Sequence, residues 1–216
     1  MDDPDVAIHA CDGLVAMTVG KACCVGRPIT QPPAPDLASL CRHDAAVVEL
    51  MAACTVVPFR FGTVVTDQAD LKAKLAGRAD HLPYLLDRLR GRREVAFRAG
   101  LQNDRSAPTS RVEPGSSYLR RLHQLSRVPE AITTLHDRLS ELVVEAVGQW
   151  DAQESLFKGS YLVEAAEVPS FAAAASRLAT AHVSTASVSL TGPWAPYSFT
   201  QPPVTGPRAI AGAVRA

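Results

Sequence analysis

No run of apolar residues in this chain approaches the ~20 that a membrane-crossing helix requires, so no membrane is expected as a partner. Net charge is absent too. Lysine plus arginine and aspartate plus glutamate number 22 each, which removes any global pull towards nucleic acid or acidic lipid. Catalytic signatures are missing: there is no GxSxG elbow, no Walker loop, no HExxH pair and no CxxC. No internal repeat or nucleotide-binding glycine pattern stands in their place. The five cysteines, Cys11, Cys23, Cys24, Cys41 and Cys54, are odd in number and two are adjacent. That fits reduced thiols in a cytosolic protein and argues against a disulfide framework. The opening MDDPDV is acidic, so no secretory signal or transit peptide is expected to begin there.

What is present is an ordinary apolar content of 47 % over 216 residues, enough for one large domain or two small ones. Residues 13–19 are a short apolar run suited to a buried strand, and the proline-rich stretch 25–35 reads as a loop. Asp36 is a good N-cap for a helix to about residue 53, with Leu37, Leu40, Cys41, Val47, Val48 and Met51 as its inner stripe. Residues 55–66 have strand composition, with Pro58 forcing an edge or bulge and Gly62 allowing a sharp reversal or a close backbone approach. Asp67 caps a leucine-rich helix that Gly77 and Pro83 should kink or split and Gly91 should close. Residues 94–99 read as another strand.

The aperiodic stretch 100–115 marks a domain boundary. Beyond it, helices are predicted over 116–126 and 130–150, and a strand over 155–164. A helix then starts at Pro169, and an alternating strand follows from residue 183, stopped by Gly192-Pro193. Both halves mix strands and helices, so the expected fold class is α+β, twice, with domains at 1–100 and 116–200 and a disordered tail at 201–216.

The segment after that strand concentrates three of the chain's twelve aromatics: Trp194, Tyr197 and Phe199. Pro193 and Pro196 bias it towards polyproline II, which would set Trp194 and Tyr197 on one side and Pro193, Pro196 and Phe199 on another. It is either a strap packed on the protein's own core or a preformed docking edge. In the second distinctive stretch, Arg60 sits between Phe59 and Phe61 ahead of Gly62. One phenylalanine is expected in the core, and Arg60 in an ion pair.

Reactive groups are few. Cys41 and His43 lie two apart on a helix and point apart, and His123 and His136 match no metal pattern. The arginine cluster Arg88, Arg90, Arg92, Arg93 and Arg98 is diluted by Asp87 and Glu94 and reads as a solvated helix end complementing the helix dipole. No cofactor, metal or small-molecule substrate is implied, and the protein is not expected to be an enzyme. The rival readings are an enzyme using a cysteine or Glu94 between the domains, or a nucleic-acid-binding module using residues 88–98.

Taken together, TGPWAPYSF at 191–199 and VVPFRFGTVV at 56–65 resemble the signatures of the gas vesicle protein F/L family. Arg42-His43, Gly91 with Glu94, Tyr118-Leu119 and Tyr161-Leu162-Val163 follow in the family's order. The chain departs from the family at its start, where MDDPDV stands in place of a further Tyr-x-Tyr strand. The resemblance implies two α+β domains, at least one ferredoxin-like, and a cytoplasmic, gas-vesicle location. It implies partners rather than substrates: the small hydrophobic shell protein and other accessory proteins. The candidate interface residues are Arg60, Phe61, Gly62, Pro193, Trp194, Pro196, Tyr197 and Phe199.

Overall fold

The computed structural model describes residues 13–19, 22–101, 128–151, 153–183 and 186–201. These divide into two units, one built from residues 13–92 with 194–201 and the other from 93–193. The expected helix at 116–126 with His123, Tyr118, Cys11 and the tail beyond 201 lie outside the described residues.

In the first unit, β1 (Val15–Val19) and β2 (Ala22–Gly26) form an antiparallel pair, with Val15 opposite Gly26 and Val19 opposite Ala22. The first was expected, but as a buried strand, and only its Val19 is buried; β2 takes Val25 and Gly26 out of the predicted loop. Helix α1 (Leu37–Ala53) starts where Asp36 accepts the Ser39 amide at 2.7 Å. Its inner face differs from expectation. Val47, Leu50 and Met51 are buried, whereas Leu37, Leu40, Cys41 and Val48 face solvent. Apolar residues occur nearly all round this helix, so periodicity could not choose the seated side.

The stretch 55–66 forms no strand, because neither described strand of the first unit pairs with it. It runs irregularly over a buried Pro58 into a tight turn, where the Thr63 amide donates to the Arg60 carbonyl at 3.1 Å. Gly62 there has φ +83°, a conformation side chains disfavour. Asp67 caps α2 (Gln68–Lys74), and the chain then breaks into a 3₁₀ turn (Ala79–His81) and α3 (Leu82–Leu89), as Gly77 and Pro83 predicted. Two small clusters fill this unit: Val19, Cys24, Leu71 and Leu75 in one, Val47, Met51 and Ala195 in the other.

The second unit contains β3 (Arg92–Leu101), α4 (Val128–Ser140), β4 (Glu145–Asp151), β5 (Leu156–Glu164), α5 (Val168–His182) and β6 (Ala186–Trp194). β3 begins and β6 ends at the boundary residue. The strands line up as β4-β5-β3-β6, and the described elements run β-α-β-β-α-β. Because β3 lies between β5 and β6, it belongs here and not with the first unit, so the division falls at 92/93 instead of the expected 100–115. The predicted helix 130–150 ends at Ser140. Residues 145–151 instead pair antiparallel with β5, Glu145 opposite Leu162 through Asp151 opposite Leu156. The gain is a full ladder of interstrand bonds, which outweighs the weak helical period of 142–147.

Alternate residues of β3, Val95, Phe97 and Ala99, meet Ile132, Leu135 and Leu139 of α4 and Phe171 and Ala175 of α5 in one continuous core. Inside it, His136 Nδ1 and the Tyr161 hydroxyl lie 2.8 Å apart, and burial, with a smaller push from the Asp137 charge, holds the tyrosine well above its usual range. A Cβ on Gly148 would stand 2.6 Å from the Phe157 ring and 2.7 Å from His136 Nε2, so only glycine fits. β6 is not stopped by Gly192-Pro193 but runs on to Trp194. Its place at the end of the strand order explains this, since an edge strand tolerates a residue without an amide hydrogen.

Candidate functional site

The C-terminal segment is a strap, but on the first unit, not on the C-terminal sheet. Instead of polyproline II it closes into a 3₁₀ turn, Tyr197–Phe199, with the Phe199 amide donating to the Pro196 carbonyl at 3.1 Å. The turn buries Ala195, Pro196 and Phe199 completely and leaves Trp194 40 % exposed. Pro193 is exposed and Tyr197 half-buried. Ala195 packs on Val47 and Met51 of α1.

Three arginine and histidine side chains hold the strap down. Arg88, at the end of α3, donates to the Gln201 carbonyl at 2.9 Å and to the Phe199 carbonyl at 3.5 Å. Arg78 donates to the Gln201 side-chain oxygen at 3.2 Å. Arg92 in turn donates to the Arg88 carbonyl at 2.5 Å. Part of the arginine cluster expected to be a solvated helix end therefore clamps main-chain carbonyls. Sequence reading missed this clasp, and no local pattern announces it: Arg88 and Gln201 are 113 positions apart.

His43 joins the strap to the arginine-phenylalanine-glycine turn. Its Nε2 lies 3.1 Å from the Tyr197 hydroxyl and 3.3 Å from the Phe59 carbonyl oxygen. A protonated Nε2 donates to that carbonyl; a bare one accepts from the tyrosine. Phe61 meets the imidazole edge-on at 5.7 Å between centroids, and Tyr197 tilts against it at 6.4 Å. The two stretches singled out in the sequence thus converge on one imidazole. Neither expectation for the turn's side chains holds. Phe59 is 37 % exposed, Phe61 is half-buried, and Arg60 is exposed with no ion pair among the described residues. The turn follows the surface, so the arginine keeps its water.

A cavity of about 770 Å³ in the first unit is lined by Cys23, Cys24, Cys54, His43 and His81 among largely apolar neighbours. Its chemistry runs against a nucleophilic thiol. Burial, with the neighbouring Cys23 charge, pushes the Cys24 thiol up, and Cys54 Sγ donates to the Leu50 carbonyl at 3.4 Å. Among the described residues no cluster of three or more histidine, cysteine or acidic side chains is placed to hold a metal. Glu94 is buried on β3 and engaged by neighbouring groups. No described helix is long and apolar enough to cross a membrane.

Fold and site define a class: a two-unit α+β protein whose first unit is closed by its own C-terminal aromatic strap. The model of the gas vesicle synthesis proteins GvpL/GvpF matches residues 2–201, and the chain belongs to that family. It is 30 % identical over 181 residues to gas vesicle protein L of Streptomyces sp. (strain CB03234), with 73 % of this chain and 66 % of that relative covered. The chain thus spans just under two thirds of that relative's length. Two crystal structures share the fold. The gas vesicle protein GvpF from Anabaena sp. PCC7120 superposes with a TM-score of 0.68 at 18 % identity, over 88 % of this chain and 86 % of that one. GvpF from Microcystis aeruginosa gives 0.67 at 16 %, over 87 % and 88 %. The family is one of gas vesicle accessory proteins and not a known enzyme family.

Proposed function

We propose that the protein is an assembly and structural accessory of gas vesicles that works in the cytoplasm through protein–protein contacts, with the small hydrophobic shell protein and with other accessory proteins. On this reading it needs no cofactor, small-molecule substrate, nucleic acid or membrane. The observation that carries it is the convergence of the turn at Arg60, Phe61 and Gly62 with the strap at His43. Pro196 and Phe199 anchor the strap, Tyr197 ties it to His43, and Pro193, Trp194, Phe59 and Arg60 are left in solvent. An exposed tryptophan on an anchored segment is the kind of residue that dominates a protein interface, since little further ordering is needed on binding. The β-α-β-β-α-β order and the strand order support reading the second unit as ferredoxin-like.

Complementation tests this. In cells lacking the protein, Trp194→Ala should fail to restore vesicles, although the purified variant melts within a few degrees of the parent. Full vesicle production by that variant would remove the strap from the interface.

A further inference from the structure

Helix α1 is apolar on the side turned away from its own unit. Its buried residues, Ser39, Val47, Leu50 and Met51, occupy one side. On the other, Leu37, Ala38, Cys41, Ala45, Val48 and Ala52 fall within an arc of about 100° at helical spacing, and all six are exposed, Leu37 by 76 % and Val48 by 49 %. Scattered exposed apolar residues are ordinary, but an unbroken stripe along about four turns, with no charge in it, marks a contact surface.

One border of the stripe carries charge of both signs. Arg42 and Glu49 are exposed and seven residues apart, about 10 Å along the axis. Arg42 spends one of its donors on Ser39 Oγ at 3.0 Å and keeps others, and Glu49 has no ion pair among the described residues. Asp44, on the opposite border, is partly buried.

We propose that this face pairs two copies of the chain, α1 against α1, antiparallel about a twofold axis beside Ala45. In that register each large residue meets a small one: Leu37 faces Ala52 and Ala53 of the second copy, Cys41 faces Val48, and Ala45 faces its own counterpart. Antiparallel helices bring like borders together, so Arg42 of each copy lies beside Glu49 of the other, twice. In a parallel pair unlike borders meet, so the border carrying Arg42 and Glu49 would face the Asp44 border of the other copy and the twofold-repeated Arg42–Glu49 pairing would be lost. The self-complementary order of size and charge is what selects a second copy over an unrelated apolar helix. This pairing is independent of the gas-vesicle reading and is measured on the purified chain alone.

A single helix pair buries less than about 1,000 Å², so association is weak, with a dissociation constant roughly in the 10–100 μM range. Sedimentation equilibrium of the full chain should show a reversible monomer–dimer system in that range. Val48→Glu should weaken it more than about tenfold, because a charge is driven into an apolar seam. Arg42→Glu and Glu49→Arg should each weaken it, and the double variant should restore it. All three substituted positions are on the surface, and unchanged far-ultraviolet circular dichroism would verify the folding of all four variants. A chain that stays monomeric through the submillimolar range overturns the proposal, as does a dimer indifferent to Val48→Glu or a charge swap that fails to restore pairing.

Discussion

The two units are held together in different ways. Among the described residues, the second has a four-stranded sheet, two helices and one continuous core that includes Phe97, Phe157, Tyr161 and Phe171. The first has a two-stranded ribbon, two separate small clusters and a cavity of about 770 Å³. It is closed by polar contacts, in which Arg78, Arg88 and His43 grip a strap returning from the far end of the chain. Burial of apolar area is non-directional and tolerant, whereas a clasp of hydrogen bonds depends on individual partners. The second unit should therefore respond to lost volume, and the first to anything that loosens its strap.

Phe157→Ala attacks the second unit in its continuous core. The ring is 1 % exposed and touches Phe97, Trp150 and His136. Its removal should cost about 3–5 kcal/mol in denaturant unfolding, with amide exchange rising in 93–193. Exchange rising equally in both units would mean that they do not differ as described.

Phe199→Ala is the counterpart in the first unit. The ring is equally buried, but it belongs to a short strap and not to the continuous core, so the expected cost is about 3 kcal/mol, the low end of the range for such a truncation. The strap should come free with it. Limited proteolysis should cut near residue 200 while leaving the second unit intact; an uncut tail would show that the arginines hold it without the phenylalanine.

Tyr161→Phe sharpens the contrast with the smallest change. Loss of the hydroxyl leaves His136 Nδ1 without its partner and should cost about 1–2 kcal/mol near neutrality. Tyr161 is raised in the folded state, so the neutral phenol is what the fold accommodates. Stability is unaffected below the ordinary tyrosine value of about 10 and falls as pH climbs past it, because the unfolded chain ionises first. Unfolding followed from pH 8 to 11 should show that decline in the parent and a shallower one in Tyr161→Phe. Parallel curves would show that the ionisation lies elsewhere.

Local chemistry accounts for what could be read from the chain by itself. Asp36 and Asp67 cap their helices because a carboxylate beside free amides is favourable in any fold, and each accepts the amide of the third helical residue, at 2.7 and 2.8 Å. Pro169 sits in the first turn of α5, Gly77 and Pro83 break the helical stretch, and β3 alternates as its composition suggested. The α+β class and the family followed from such short-range signals and from the two motifs. Non-local competition decided the rest. Residues 145–151 became a strand because β5 offered a partner, and 55–66 did not because none was offered. Which side of α1 is buried, and which unit the strap covers, depended on surfaces brought together from opposite ends of the chain. A helical period can show that a helix has an apolar face; it cannot show what that face will meet. Only the folded chain places Tyr197 against His43 and Gln201 against Arg88, across separations of 154 and 113 residues.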